Sequence, residues 1–171
     1  MIIDSDALRL RPPTLADARE WLAGEDDEVA RWFEFPRRST LEDVVRAIEG
    51  WSEAWRLDGP VRSWAICDRA TGAITGGVEL RRLDEHDVNL SYWVAAPWRR
   101  RGIARRAADL ALGYAATTLQ ATRAVIKVLD GNAASLAVAN HLNAQLVGTT
   151  PSDAGGTFLV FHRTLAHAAT A

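Results

Sequence analysis

Cysteine is nearly missing from this chain. Cys67 stands alone among 171 residues, which excludes an intrachain disulfide and any site built from several thiolates. Long apolar runs are missing as well; none approaches the roughly 20 residues that a membrane-spanning helix needs. Charge of one sign is missing. Twenty Lys and Arg stand against 22 Asp and Glu, a net charge of −2, so no global basic field points to nucleic acid as a partner. Met1-Ile2-Ile3-Asp4-Ser5-Asp6 lacks the basic and apolar regions of a secretory signal. Repeats and low-complexity linkers are absent. These absences make a cytoplasmic protein with no membrane and no nucleic-acid partner the simplest expectation. What is present is ordinary globular composition, 48% hydrophobic and 25% charged, at a length suited to one α/β domain over residues 1–171.

The apolar period changes along the chain. Ala7-Leu8-Arg9-Leu10-Arg11 alternates as a strand does and stops at Pro12-Pro13. Thr14, with Asp17 three residues on, opens a helix whose stripe is Leu15, Ala18, Trp21 and Leu22, ending at Gly24. A short helical stretch covers Glu28 to Phe33. Ser39-Thr40-Leu41-Glu42 reads as a capping box, and Leu41, Val44, Val45, Ile48, Trp51 and Trp55 follow at helical spacing. The middle turns to period two. Trp64 and Ile66, then Ile74, Val78 and Leu80 on one side, then Val88, Leu90, Tyr92 and Val94 opposite Asn89, Ser91 and Trp93, predict an antiparallel meander. A helix from Ile103 to Thr117, a strand from Ala124 to Leu129, a helix from Ala133 to Leu142 and a strand pair at Gln145–Thr149 and Thr157–Arg163 complete the chain. The order is β-α-α-β-β-β-α-β-α-β-β, a mixed, mostly antiparallel sheet flanked by helices.

The stretch between Trp93 and Ala104 carries the most chemistry. A strand ends at Val94-Ala95-Ala96-Pro97, and a helix begins after Gly102. The first N–H groups of a helix have no intrahelical acceptor and lie at the positive end of its dipole. They form an anion cradle, and Gly102 and Ala104 leave it open. Arg99, Arg100, Arg101, Arg105 and Arg106 surround it with groups suited to phosphate. A solvated basic turn before an amphipathic helix reads equally well from the charge alone, and a nucleic-acid patch is a lesser rival. The Walker pattern and the dinucleotide fingerprint are both absent.

Arg99-x-x-Gly102-x-Ala104 resembles the Arg/Gln-x-x-Gly-x-Gly/Ala signature of the GNAT (GCN5-related) N-acetyltransferases. The longer run from Tyr92 to Ala104 resembles the RimJ/RimL branch, and Asn132-Ala-Ala-Ser135 resembles that branch's Asn-x-x-Ser motif at the next strand-to-helix junction. The resemblance extends over nearly the whole chain. It implies acetyl-CoA as co-substrate, its diphosphate on backbone N–H groups from Arg100 to Ala104 with Arg99, Ile103 and Arg105 around them. Its pantetheine arm would pair with backbone at Trp93, Val94 and Ala95, and Asn132 and Ser135 would lie near the sulfur. The activity implied is acetyl transfer to a primary amine, on a protein N-terminus or a small molecule, by direct attack on the thioester.

That reaction needs a base for the amine proton and an acid for the leaving thiolate. Ser135 is the candidate acid; as a first-turn serine it also suits simple capping. Family members carry a Glu where this chain has Asn89, which takes no proton. Glu79 and Asp87 are therefore the candidate bases, each equally readable as a solvent-facing carboxylate. The departure at Asn89 also keeps open a non-catalytic acyl-CoA-binding module of the same fold. Asn143-Ala144 replaces the family's Gly-Phe. Trp32, Phe33 and Phe35, with Asn89 and Trp93, are the candidate acceptor walls, and the first three read equally well as a plain hydrophobic wedge, while Trp21, Trp51 and Trp55 read as packing. His86 reads as an exposed turn residue, and His141 and His162 have no partners at metal-ligand spacing, so no metal is expected. The last strand pair offers a face for a homodimer.

Overall fold

The computed structural model describes residues 1–166; the last five residues of the expected domain lie outside the described residues. The alternation at Leu8-Arg9-Leu10-Arg11 buries both leucines. This strand, β2 (Leu8–Arg11), pairs antiparallel with a two-residue β1 (Ile3–Asp4) and with β3 (Val61–Asp68). Between β2 and β3 lie three helices, α1 (Ala18–Gly24), α2 (Asp27–Trp32) and α3 (Leu41–Arg56). The capping box lies one residue later than the Ser39-to-Glu42 pattern: Thr40 is the cap and Asp43 its reciprocal partner. β3 continues into β4 (Ile74–Arg82) and β5 (Asp87–Val94) as an antiparallel meander. Then follow α4 (Ile103–Thr117), β6 (Arg123–Leu129), α5 (Ala133–His141), β7 (Gln145–Pro151) and β8 (Thr157–Thr164).

The strands form one sheet in the order β1-β2-β3-β4-β5-β6-β8-β7. Every pairing is antiparallel except β5 with β6. The larger apolar core lies where β2 to β6 and β8 meet α4 and α5, and it includes Leu10, Trp64, Leu90, Ala111, Ile126 and Phe161. A smaller core on the other face packs Ala18, Trp21, Val44 and Ile48 of α1 and α3 on Ala65, Cys67 and Ile74.

One expected face is corrected. Ile74 does not share the side of Val78 and Leu80; it packs in the smaller core while they pack in the larger. The reason is a bulge. Ile66 pairs with Gly76 but Cys67 pairs with Ile74, so Thr75 is an extra residue in β4. An extra residue reverses the two-residue phase. Thr75 is fully buried, and its hydroxyl donates to the Ile66 carbonyl at 3.0 Å.

The parallel pair is short. β5 contacts β6 only from Asp87 to Asn89, against Arg123 to Val125. Beyond Asn89 the two strands part, and the sheet opens toward their C-terminal ends.

Candidate active site

The opening between β5 and β6 forms a cavity of about 840 Å³, lined by Leu90 to Val94 on one side and Ile126 to Leu129 on the other. The orientation of the β5 backbone follows from one bond. The Ala95 N–H donates to the Thr75 carbonyl at 2.8 Å. Residues of an antiparallel strand alternate between their two neighbours, so Trp93 faces Gly77 of β4 and Val94 faces the opening. This corrects two of the three expected pantetheine contacts. The Trp93 and Ala95 backbones serve the β4–β5 ladder, and the Val94 backbone remains, with that of Tyr92, on the open edge.

The loop after β5 delivers the start of α4 to the floor of this opening. Pro97 lies in a short 3-10 turn, Ala96–Trp98. Arg100 and Gly102 then take positive φ, 62° and 73°. Gly102 suits this because it bears no Cβ, and a Cβ built there has nothing within 4 Å. Among the described residues no side chain caps the N-terminus of α4, so its first N–H groups stand free of such caps at the positive end of the helix. Arg100, Gly102, Ile103, Ala104 and Arg105 all line the cavity.

Two of the arginines are used elsewhere. Arg99 lines the cavity, but its Nε donates to the Val94 carbonyl at 3.0 Å. Its terminal nitrogens pair with Glu28 at 2.7 Å and Asp26 at 2.8 Å. The Asp26 carboxyl is held below its ordinary range chiefly by this hydrogen bond. Arg99 therefore clamps the loop to α2. Arg101 stacks its guanidinium on Trp98, 5.0 Å from the ring centroid. Both interactions turn the guanidinium from the expected phosphate role to a local structural one.

The junction of β6 and α5 closes the opposite wall. Asn132 is buried and caps α5, its Oδ1 accepting from the Ser135 N–H at 3.0 Å. The capping duty thus belongs to Asn132, and the Ser135 side chain is free of it. Tyr92 reaches across the opening, its hydroxyl donating to the Ser135 carbonyl at 3.4 Å. Burial pushes the Tyr92 phenol up to about 12, so it keeps its proton at neutral pH. Tyr92 packs against the larger core beside Val88 and Leu90, and it also lines the opening.

A second cavity, of about 660 Å³, lies on the other side of β5 beneath α1 and α3. Val29, Phe33, Asn89, Ser91, Tyr92 and Trp93 line both cavities, so β5 and the end of α2 form their common rim. Phe35 lines only the second cavity and Trp32 only the first. Three indoles wall the second cavity. Trp21 meets Trp51 at 5.0 Å and Trp93 at 5.1 Å between ring centroids. The β4 glycines make room for them: a Cβ at Gly77 would come within 2.5 Å of Trp93 Nε1 and 2.6 Å of Trp21. Trp21 and Trp51 pack as expected, but they also form the cavity wall. Their helical stripe looks the same in either role.

Glu79 sits in this cavity. Its Oε2 accepts from Trp51 Nε1 at 3.1 Å and its Oε1 from Arg81 at 3.1 Å. Burial pushes its carboxyl above the ordinary range, against the opposing pull of Arg81 and Trp51. Asp87 is placed differently. It begins β5 at the paired end of the sheet, and both its oxygens accept from Arg123 Nε at 3.0 Å. It lines neither cavity, so the candidate base at Asp87 is set aside: its carboxylate is committed to Arg123. Among the described residues no group of three or more His, Cys, Asp or Glu side chains is placed to hold a metal ion, and no helix is long and apolar enough to cross a membrane.

Residues 7–145 match the acetyltransferase (GNAT) domain family. No curated protein sequence matches the chain. Among solved structures, the GNAT-family acetyltransferase from Bacillus anthracis superposes with a TM-score of 0.81 at 15% identity, over 96% of this chain and 98% of its own. Ribosomal-protein-S5-alanine acetyltransferase from Vibrio fischeri superposes with a TM-score of 0.80 at 17% identity, over 96% and 97%. The microcin C7 self-immunity acetyltransferase MccE, in complex with acetyl-CoA and AMP, superposes with a TM-score of 0.78 at 19% identity, over 94% and 93%. At these identities the likeness is one of fold.

Proposed function

The chain belongs to the GNAT acetyltransferase family, and from that premise we propose that it transfers an acetyl group from acetyl-CoA to a primary amine by direct attack of the amine on the thioester. One observation carries the reading. An open strand edge at Val94 leads into an uncapped helix N-terminus at Gly102, and a separate cavity meets the same strand from the other side. The first arrangement fits an extended arm ending in a diphosphate; the second fits an acceptor. The neighbour MccE, which holds acetyl-CoA, supports the same co-substrate here.

Each residue then has a task. Free N–H groups of α4, with Arg100 and Arg105, hold the diphosphate. The Val94 backbone holds the arm and offers its N–H to the thioester oxygen as negative charge develops there. Acetyl-CoA supplies the activated acetyl group. Glu79 takes the amine proton, directly or through one water, and its raised pKa brings it closer to the working pH of a general base. Ser135 passes a proton to the departing sulfur and regains one from water, into which Glu79 releases the amine proton. Asn89, Ser91 and Trp93, which line both cavities, border the path of the acceptor, and Trp32, Phe33 and Phe35 shape its mouth. Direct attack suits a chain whose sole thiol, Cys67, is buried and pushed up in pKa by that burial. The acceptor is a protein N-terminus, as in the RimJ/RimL branch, or a small amine. The reaction runs in the cytoplasm, and β7 at the sheet edge, with Leu146 and Val147 exposed, is where a second copy would dock.

Asn89 in place of a carboxylate favours a second reading, a non-catalytic acyl-CoA-binding module. Calorimetry with acetyl-CoA and a free-thiol release assay over peptide N-termini and small amines separate the two. The expected result is acetyl-CoA binding plus amine-dependent thiol release. Binding with no thiol release on any amine leaves the module, and no binding at all overturns both.

A further inference from the structure

Three carboxylates and two arginines, Arg37 and Arg81, line the acceptor cavity, which leaves one carboxylate without a cation. Glu25, Asp43 and Glu79 all line it. Asp43 is paired with Arg37 and Arg46, and Glu79 with Arg81. Glu25 forms no ion pair among the described residues. Its Oε1 accepts from Trp21 Nε1 at 2.9 Å. Its Oε2 is fully buried and has no hydrogen-bond partner among the described residues. Arg38 comes near but spends its donors on the Glu25 backbone carbonyl and on Asp27. A buried carboxylate oxygen left unpaired is costly, more so than a neutral group. The terminal torsion of Glu is broad, so a modest turn presents that oxygen to the cavity.

The neighbouring surface suits a cation. Indole faces attract ammonium groups, most strongly where water is excluded. Trp21 is bonded to Glu25 and touches Trp51, which is itself bonded to Glu79. The two carboxylates are thus held on adjoining rings, and one of them, Glu79, serves the reacting amine.

Building on the acetyl-transfer reading above, we propose that the acceptor is a diamine with an apolar spacer, and that its second, cationic nitrogen is bound by Glu25 against Trp21. Glu25 is a specificity residue here and takes no part in moving the acetyl group. A merely structural Glu25, present to hold the Trp21 indole, makes a different prediction, because Gln holds that N–H equally well.

The test uses meta-xylylenediamine and benzylamine, which share ring and reactive amine and differ in the second nitrogen. Binding is read by tryptophan fluorescence in the presence of CoA, since three indoles wall the cavity, and therefore needs no turnover. The diamine is expected to bind about tenfold tighter or more. Glu25→Gln is expected to bring the two affinities within about twofold, by weakening the diamine alone. Equal affinities in the unaltered protein overturn the proposal, as does failure of both amines to bind. A tenfold preference retained in Glu25→Gln, with CoA affinity and melting temperature unchanged, assigns Glu25 to holding Trp21 and also overturns it. Thiol release is scored separately: diamine preference without thiol release sinks acetyl transfer and leaves the cation site standing.

Discussion

The opening between β5 and β6 and the cavity beneath α1 and α3 share one strand but are made of different material. The first is mostly backbone: a strand edge freed where the parallel pairing ends at Asn89, and helix N–H groups freed by an uncapped N-terminus. The second is side chain: three indoles in contact, two carboxylates bonded to them, and Phe33 and Phe35 at 5.7 Å from each other. A backbone site binds what all members of a fold share, because any sequence that makes the turn makes the site. A side-chain site binds what the individual chain selects, because each wall is a separate choice. The comparison predicts that substitutions on one side of β5 leave the other side working.

The largest break is expected at Gly102. Its Cβ position is open space at the mouth of the α4 cradle, and its φ is 73°. Gly102→Trp fills the cradle with an indole and is expected to weaken acetyl-CoA binding about 100-fold or more by calorimetry. The left-handed conformation costs about 1–2 kcal/mol for a residue with a Cβ, so the protein should remain folded. Unchanged affinity would remove the diphosphate assignment.

Glu79 is the matching break on the acceptor side. Glu79→Gln keeps the size and an acceptor for Trp51 but removes the proposed base. Turnover is expected to fall about 100-fold while acetyl-CoA affinity holds. The pH profile gives the sign. Glu79 acts as a base only when ionised, and burial raises its pKa, so the unaltered enzyme loses rate on acidification starting above the ordinary glutamate range. That acidic limb should vanish in the Gln variant. If the limb persists, the base lies elsewhere.

The difference in material also explains what was legible in the sequence. The loop was readable because a strand, a lone glycine and a helix start leave a local pattern, and Asn132 with Ser135 repeats it at the next junction. The meander and helix stripes were readable for the same reason. The bulge at Thr75 was not, since one extra residue carries no local mark yet moves Ile74 to the other face. Trp21 and Trp51 read as core because a wall and a core stripe have the same spacing. Glu25, one residue past the glycine that ends α1, gave no signal; only the fold brings it under Trp21 beside Glu79. Asp87 looked available because its partner, Arg123, lies across a strand pairing that spacing does not reveal.

Arg99 is where the two regions are joined, and it offers the smallest and sharpest test. The family resemblance makes it a phosphate ligand; its hydrogen bonds make it a clamp from the Val94 carbonyl to Asp26, the cap of α2, and Glu28 within it. The guanidinium is about one-quarter exposed and both carboxylates more so, so the clamp belongs with half-exposed ion pairs worth roughly 1 kcal/mol. Arg99→Leu is therefore expected to lower the melting temperature by only a few degrees. Acetyl-CoA affinity should change less than about threefold, whereas loss of a charge-assisted phosphate bond costs about tenfold or more. The clamp also positions α2, which carries Phe33 at its end, so the acceptor KM should rise more than acetyl-CoA affinity falls. A tenfold loss of acetyl-CoA affinity with an unchanged acceptor KM would return Arg99 to the phosphate and leave the link between the two sites to their shared rim of β5 and the end of α2.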